Sequence, residues 1–249
     1  GVSNTAIGSL AGTAITTGDS NIAIGHEALK TNTTAGENTA IGVASLRDNT
    51  AGCRNVAIGQ NAMLVNTEGC FNVAVGRAAL DANLTGDRNV AIGLSALGSN
   101  TTADCNVAVG QSALGTNTTG ANNVAVGHVA LLANTTGADN TAVGAFSLDA
   151  NTEGGDNTAL GRTSLSSNTT GGENVALGRS ALASNSTGCK NIAIGASALL
   201  LNTTNDNTAV GYQALEKNTS GTSNIAIGCG ALESNTTASD NVAMGKRAL

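Results

Sequence analysis

The sequence predicts an all-β fold, a parallel β-solenoid of about fifteen coils, and three observations carry that prediction. The pentapeptide Asn38-Thr39-Ala40-Ile41-Gly42 returns in near copy every 17 residues, starting at Asn4, Asn21, Asn38, Asn55, Asn72, Asn89, Asn106, Asn123, Asn140, Asn157, Asn174 and Asn191, then at Asn207, Asn224 and Asn241. A strict period of this kind marks an array of like structural units, and 17 residues are too few for the helix pairs of about 30 residues or more that build helical arrays. Composition completes the argument: 41% of the residues are hydrophobic but only 1% aromatic, with no Trp, no Pro and 33 Gly. Such a chain cannot fill a wide core and must bury small side chains in a narrow, regularly stacked space. Residues 1–249 therefore read as one continuous repeat array. It begins directly before a repeat and stops inside one, where a complete solenoid would carry atypical capping units, so a segment of a longer fibre is expected.

The elements of one coil follow from the consensus when the repeated Asn is numbered position one. Position three is Ala and position five is Gly in all fifteen copies; position two is Thr, Val or Ile, and position four is Ile, Val, Leu or, once, Met244. Alternating larger and smaller residues predict a short strand. The strand residues expected to be buried include Ala40, Ile41 and Gly42, Ala57, Ile58 and Gly59, and Ala125, Val126 and Gly127. Position nine is Leu in nearly every unit after the first, as in Leu29, Leu46, Leu80 and Leu97 with Met63 as the substitute, and Ala or Ser precedes it. That predicts a second short buried segment on the far side of the coil.

Turns join the two segments. The stretch Asn117-Thr118-Thr119-Gly120 supplies Asn and Gly for left-handed backbone and Thr hydroxyls for local capping. Stacked coils place each Asn over the next, so that side-chain amides can hydrogen-bond along the axis as in cross-β stacks. Two such rows are expected. One runs through position twelve; the other runs through position one and comprises Asn38, Asn55, Asn72, Asn89, Asn106, Asn123, Asn140, Asn157, Asn174 and Asn191. The first unit departs from the pattern, with Gly12 in place of Leu and Ile15 in place of the second Asn. The step from Asn191 to Asn207 is one residue short, a loss that falls in a turn, leaves the strands in phase and is of a kind loops tolerate.

Charge separates inside from outside. All 11 Lys and Arg and all 17 Asp and Glu fall at positions six, seven, ten, eleven, fourteen, sixteen or seventeen, and none occupies the strand, the Leu segment or an Asn row. Unpaired charge is costly to bury, so these positions mark the turns and the outer rim. A net charge of −6 argues against a nucleic-acid partner, which needs a concentrated basic surface. No apolar run approaches the ~18 residues that would span a bilayer, so direct membrane insertion is not expected. In a solitary solenoid the outward strand face should be polar, yet positions two to five are apolar or Thr throughout. An invariant Ala/Gly face suits close approach of another backbone or sheet; alternatively, Ala and Gly simply fit a tight bend. On the first reading one face fills the coil and the other packs against neighbouring subunits in an oligomeric rod.

Catalysis requires a convergent cluster of unlike groups, whereas this sequence spreads its groups by phase. His26 and His128 share position six but lie six coils apart, about 29 Å at 4.8 Å per coil, too far for a shared site in one chain. No Gly-x-x-x-x-Gly-Lys-Ser/Thr phosphate loop and no Asp-bearing calcium nonapeptide occurs. No catalytic, cofactor or metal site is therefore expected, and the protein reads as no enzyme. The 5 cysteines make no disulfide framework. Cys53 and Cys70, however, share position sixteen in adjacent coils and are candidates for a bridge, with free thiols as the alternative. Asn-x-Ser/Thr sequons at Asn32, Asn83, Asn100 and Asn117 would accept glycans in a eukaryotic secretory setting, although ladder roles would occupy the same amides.

The phrase Asn-x-Ala-Ile/Val-Gly at a fixed short period, followed by a small-residue segment and a Gly turn, resembles the head repeats of trimeric autotransporter adhesins of the YadA type. It is also similar to the Asn-Thr-Ala-Ile-Gly-x-x-Ala-Leu-x-x-Asn-Thr-Thr-Gly arrays of phage tail fibres. The match is close at Asn38-Thr39-Ala40-Ile41-Gly42, Asn157-Thr158-Ala159-Leu160-Gly161 and Asn207-Thr208-Ala209-Val210-Gly211, and it covers essentially the whole chain. The resemblance implies a left-handed β-roll, three chains side by side, and use in attachment or as a fibre shaft outside the cell, on a cell surface or a virion. The period is longer than that of the adhesin head, which implies a wider coil. A homotrimer and a host-surface or matrix ligand are the partners this implies. The other function to weigh is an ice-binding solenoid, which would show one flat Thr face in every coil; position two is Thr in only five of fifteen units.

Overall fold

The computed structural model describes every residue from Gly1 to Leu249. It comprises two compact units, Gly1–Asn122 and Asn123–Leu249. The first contains β1 (Thr5–Ile7), β2 (Ile22–Ile24), β3 (Thr39–Ile41), β4 (Val56–Ile58), β5 (Val73–Val75), β6 (Val90–Ile92) and β7 (Val107–Val109). The second contains β8 (Val124–Val126), β9 (Thr141–Val143), β10 (Thr158–Leu160), β11 (Val175–Leu177), β12 (Ile192–Ile194), β13 (Thr208–Val210), β14 (Ile225–Ile227) and β15 (Val242–Met244). Within each unit consecutive strands pair in parallel, with Ala on Ala, as in Ala40↔Ala57 and Ala159↔Ala176. The expected β-solenoid with a 17-residue repeat is thus present, and no helix interrupts it. The shortened coil keeps its strands in phase as well, with Ile192 opposite Thr208.

Each strand is only three residues long because position five ends it. Gly42 and Gly76 have φ of 134° and 137°, a region open essentially to Gly alone. Room is missing there too. A Cβ added to Gly42 would lie 2.5 Å from the carbonyl oxygen of Gly59, and one on Gly76 2.5 Å from that of Gly93. The coil backbones are therefore in van der Waals contact at the bend.

The Ala of every strand points inward; Ala40, Ala57, Ala74 and Ala125 have no exposed surface. Facing them is the Leu row, where Leu29, Leu46, Met63 and Leu80 are also fully buried. Each such residue contributes about 2 kcal/mol by removing its apolar surface from water. This segment is not extended: φ is 48° at Leu46 and 54° at Leu80. Left-handed backbone costs about 1–2 kcal/mol for a residue with a Cβ. It is retained because the Leu46 N–H donates to the Ala62 carbonyl of the next coil at 3.0 Å. Positions seven and seventeen repeat the device, as at Ala44 and Arg54, with φ of 55° and 57°.

The irregular first unit shows how position nine packs. A Cβ built on Gly12 would lie 3.5 Å from the Ala6 Cβ and 3.0 Å from the Ile15 Cδ1. Gly12 keeps the left-handed φ of the Leu it replaces, 57°, while Ile15, standing where Asn is otherwise found, fills the space that Leu would have taken.

Within the single chain one strand face is covered and the other is open. Of the nine strand residues named above, only Ala40, Ala57 and Ala125 are buried. Ile41 and Val126 are half-buried, Ile58 is 37% exposed, and Gly42, Gly59 and Gly127 are half-buried at the bend. The tight-bend alternative accounts for the small residues: Ala is small because Leu faces it across a narrow interior, and Gly is required by φ. The larger side chains of positions two and four form the outward face.

Candidate functional site

The polar chemistry of the chain is concentrated in rows that run from coil to coil through the turns. In the position-one row, the backbone N–H of each Asn donates to the Oδ1 of the Asn before it. In the first unit the distances are 3.0 Å for Asn38 to Asn21, 3.0 Å for Asn55 to Asn38, 2.9 Å for Asn72 to Asn55, 2.8 Å for Asn89 to Asn72 and 2.9 Å for Asn106 to Asn89. In the second they are 3.0 Å for Asn140 to Asn123, 3.1 Å for Asn157 to Asn140, 3.1 Å for Asn174 to Asn157 and 3.0 Å for Asn191 to Asn174. The expected ladder is there, but its main rung is backbone to side chain. In the position-twelve row, by contrast, the bonds join amide to amide: Asn49 Nδ2 donates to Asn32 Oδ1 at 3.0 Å, and Asn66 Nδ2 to Asn49 Oδ1 at 2.8 Å.

The two rows meet on one atom per coil. The carbonyl of Gly52, at position fifteen, accepts Asn38 Nδ2 at 2.9 Å and Asn49 Nδ2 at 2.8 Å. Gly86 likewise accepts Asn72 Nδ2 at 2.8 Å and Asn83 Nδ2 at 3.0 Å. Both lone pairs of a buried carbonyl are thereby used, which is what burying so many amides requires. Because Asn32, Asn83, Asn100 and Asn117 are fully buried, their sequons present no free amide on the folded chain.

Two further rows were not foreseen. At position thirteen the Thr50 hydroxyl donates to the Thr67 carbonyl at 2.9 Å, and the backbone N–H groups of Thr50, Ala51 and Gly52 converge on the same oxygen at 3.1, 2.8 and 3.1 Å. At position sixteen a backbone N–H donates to the side chain one coil on: Cys53 to Cys70 Sγ at 3.0 Å, Cys70 to Asp87 Oδ1 at 2.7 Å, and Asp87 to Asp104 Oδ1 at 2.7 Å. The only signal in the sequence was that Asp19, Cys53, Cys70, Asp87, Asp104, Cys189, Asn205 and Ser239 share one phase. All are acceptors, but they differ enough in chemistry to conceal the pattern.

The shortened coil breaks one rung. The Thr204 carbonyl takes over the position-fifteen role, accepting Asn191 Nδ2 at 2.6 Å and Asn202 Nδ2 at 2.8 Å. The turn before it lacks a residue, and Asn185 Oδ1 is left buried without a partner. An unsatisfied buried acceptor costs about 1–3 kcal/mol. Inserting one Gly between Thr203 and Thr204 should restore the Asn185–Asn202 rung and raise stability by about 1–2 kcal/mol in chemical denaturation. Equal or lower stability would contradict the assignment of the missing residue to this turn.

On the rim the charges are exposed or half-buried. Arg54 pairs with Glu37 at 3.0 Å and lies 5.3 Å from the Phe71 ring centre, which Arg88 also approaches at 5.8 Å. The Arg54 guanidinium holds the Glu37 carboxyl below its ordinary range, and burial holds Asp81 and Asp149 above theirs. His26 and His128 are exposed; His128 makes an edge contact with Phe146 at 5.3 Å between ring centres. No three His, Cys, Asp or Glu side chains are grouped so as to hold a metal ion. No protein-family model matches the chain, and no curated protein does so either.

Proposed function

We propose that the chain is a structural and adhesive segment of an extracellular fibre, an adhesin head or a tail-fibre shaft on a cell surface or virion. In this reading it acts as a homotrimer and without catalysis. The observation that carries the reading is the outward strand face. Every coil adds a Thr, Val or Ile and then an Ile, Val, Leu or Met to it, and Ile92 and Leu160 are left 40% and 48% exposed. Apolar rows of this kind mark surfaces that associate, and identical copies of one chain present the same row to one another. Contact with a host-surface or matrix ligand would then fall to the variable rim positions, since the remaining polar groups are engaged between coils.

Light scattering of the purified chain tests this, with a trimer mass expected. Ile92→Lys together with Leu160→Lys should shift the mass to that of a monomer while far-ultraviolet circular dichroism stays unchanged. A native chain that is monomeric in dilute solution would refute the assembly. An ice-binding role is the rival reading, and it needs Thr hydroxyls free to face water. The position-thirteen hydroxyls are instead bonded to carbonyls, as at Thr67 to Leu84 at 2.9 Å and Thr152 to Thr169 at 3.1 Å. Thermal hysteresis of the purified chain separates the two readings.

A further inference from the structure

Position sixteen carries Cys in two successive coils of the first unit, Cys53 and Cys70. Both thiols are free and half-buried, with their Sγ atoms 2.9 Å apart. The Cys53 N–H points at the Cys70 sulfur at 3.0 Å, and the Cys70 N–H is held by Asp87 Oδ1 at 2.7 Å, so the backbone on both sides of the pair is fixed. Parallel stacking sets equivalent residues about 4.8 Å apart, within the roughly 4.4–6.8 Å separation of Cα atoms that a disulfide spans. The other cysteines lack this arrangement. Cys189 lies in the same row but accepts from the Gly172 N–H at 3.3 Å and donates its own N–H to Asn205 at 2.8 Å, while Cys105 and Cys229 are exposed.

We propose that Cys53 and Cys70 form an oxidation site, a dithiol that exchanges with a low-molecular-weight disulfide to close a bridge between neighbouring coils. The thiolate of one of the two cysteines attacks one sulfur of the reagent, forming a mixed disulfide and expelling one reagent thiolate. The other cysteine then attacks the protein sulfur of that mixed disulfide, the Cys53–Cys70 bond forms, and the second reagent thiolate leaves. The pair gives up two electrons and two protons; the reagent disulfide takes up the electrons and ends as two thiols. Burial, with the hydrogen bond between the two thiols adding to it, pushes the Cys70 thiol up to about 11. The product is a staple across two coils at the rim, within the position-sixteen row, and it leaves the rows at positions one, twelve and thirteen untouched.

The native chain incubated with oxidised glutathione, then unfolded and titrated for thiols, should fall from five thiols to three. Its intact mass should drop by two hydrogens, and a peptide map should join the segments holding Cys53 and Cys70. Reductant should reverse the change. Cys105→Ser should still lose two thiols, whereas Cys53→Ser and Cys70→Ser should form no intrachain bridge. The oxidised native chain should also melt at a higher temperature than the reduced one. Retention of all five thiols, a stable glutathione adduct on Cys53 or Cys70, or bridging between chains would each overturn the proposal. The Cys105→Ser chain and the unmutated chain keep the test decisive if a position-sixteen variant fails to fold.

Discussion

Gly76→Val should lose about 4 kcal/mol or more of stability, the largest effect expected of any single exchange in the strand repeat. Two independent penalties add. Val at φ of 137° occupies a backbone region closed to β-branched residues, worth about 1–3 kcal/mol. Its Cβ would also sit 2.5 Å from the Gly93 carbonyl oxygen. That neighbour is backbone fixed by stacking, so it cannot swing away as a flexible side chain would, and overpacking of this sort costs about 1–3 kcal/mol more. Chemical denaturation followed by circular dichroism measures the loss. A penalty below about 1 kcal/mol would mean that the coils can separate at the bend.

Asn72→Ala should cost about 3 kcal/mol. The Asn72 side chain accepts the Asn89 N–H at 2.8 Å and donates to the Gly86 carbonyl at 2.8 Å. Removing it leaves the Asn89 N–H buried with no acceptor, and water cannot reach a position of zero exposure. The Gly86 carbonyl fares better, because Asn83 Nδ2 still donates to it. Gln60→Ala on the exposed rim should change stability by less than about 0.5 kcal/mol. Similar losses for both variants would show that the amide row contributes little beyond its position.

The sequence made the period, the strand phase, the Leu row and both Asn rows legible, because each rests on one residue type recurring at one phase. The facing of the strand was not legible in the same way. Small residues at positions three and five are compatible with an inward Ala beneath Leu or with an outward surface meeting another chain. Only the φ of Gly42 and the burial of Ala40 separate the two. The position-sixteen row was obscured because Asp, Cys, Asn and Ser do the same work there. The broken rung at Asn185 needed atomic positions, since the missing residue at Thr203–Thr204 leaves the strand register unchanged.

The rows have a sense of direction. Position-one and position-twelve Asn residues donate toward the coil before them, as from Asn55 to Asn38 and from Asn66 to Asn49. Positions thirteen and sixteen donate toward the coil after, as from Thr50 to Thr67 and from Cys70 to Asp87. Each coil thus offers one pattern of donors and acceptors on its upper face and the complement of that pattern below, and two like faces would set donor against donor. A whole 17-residue copy can be gained or lost in the same sense, and the cut surfaces rejoin with every bond restored. Length is thereby the one property of such a chain that can change freely, while the loss of a single residue leaves a lasting defect inside.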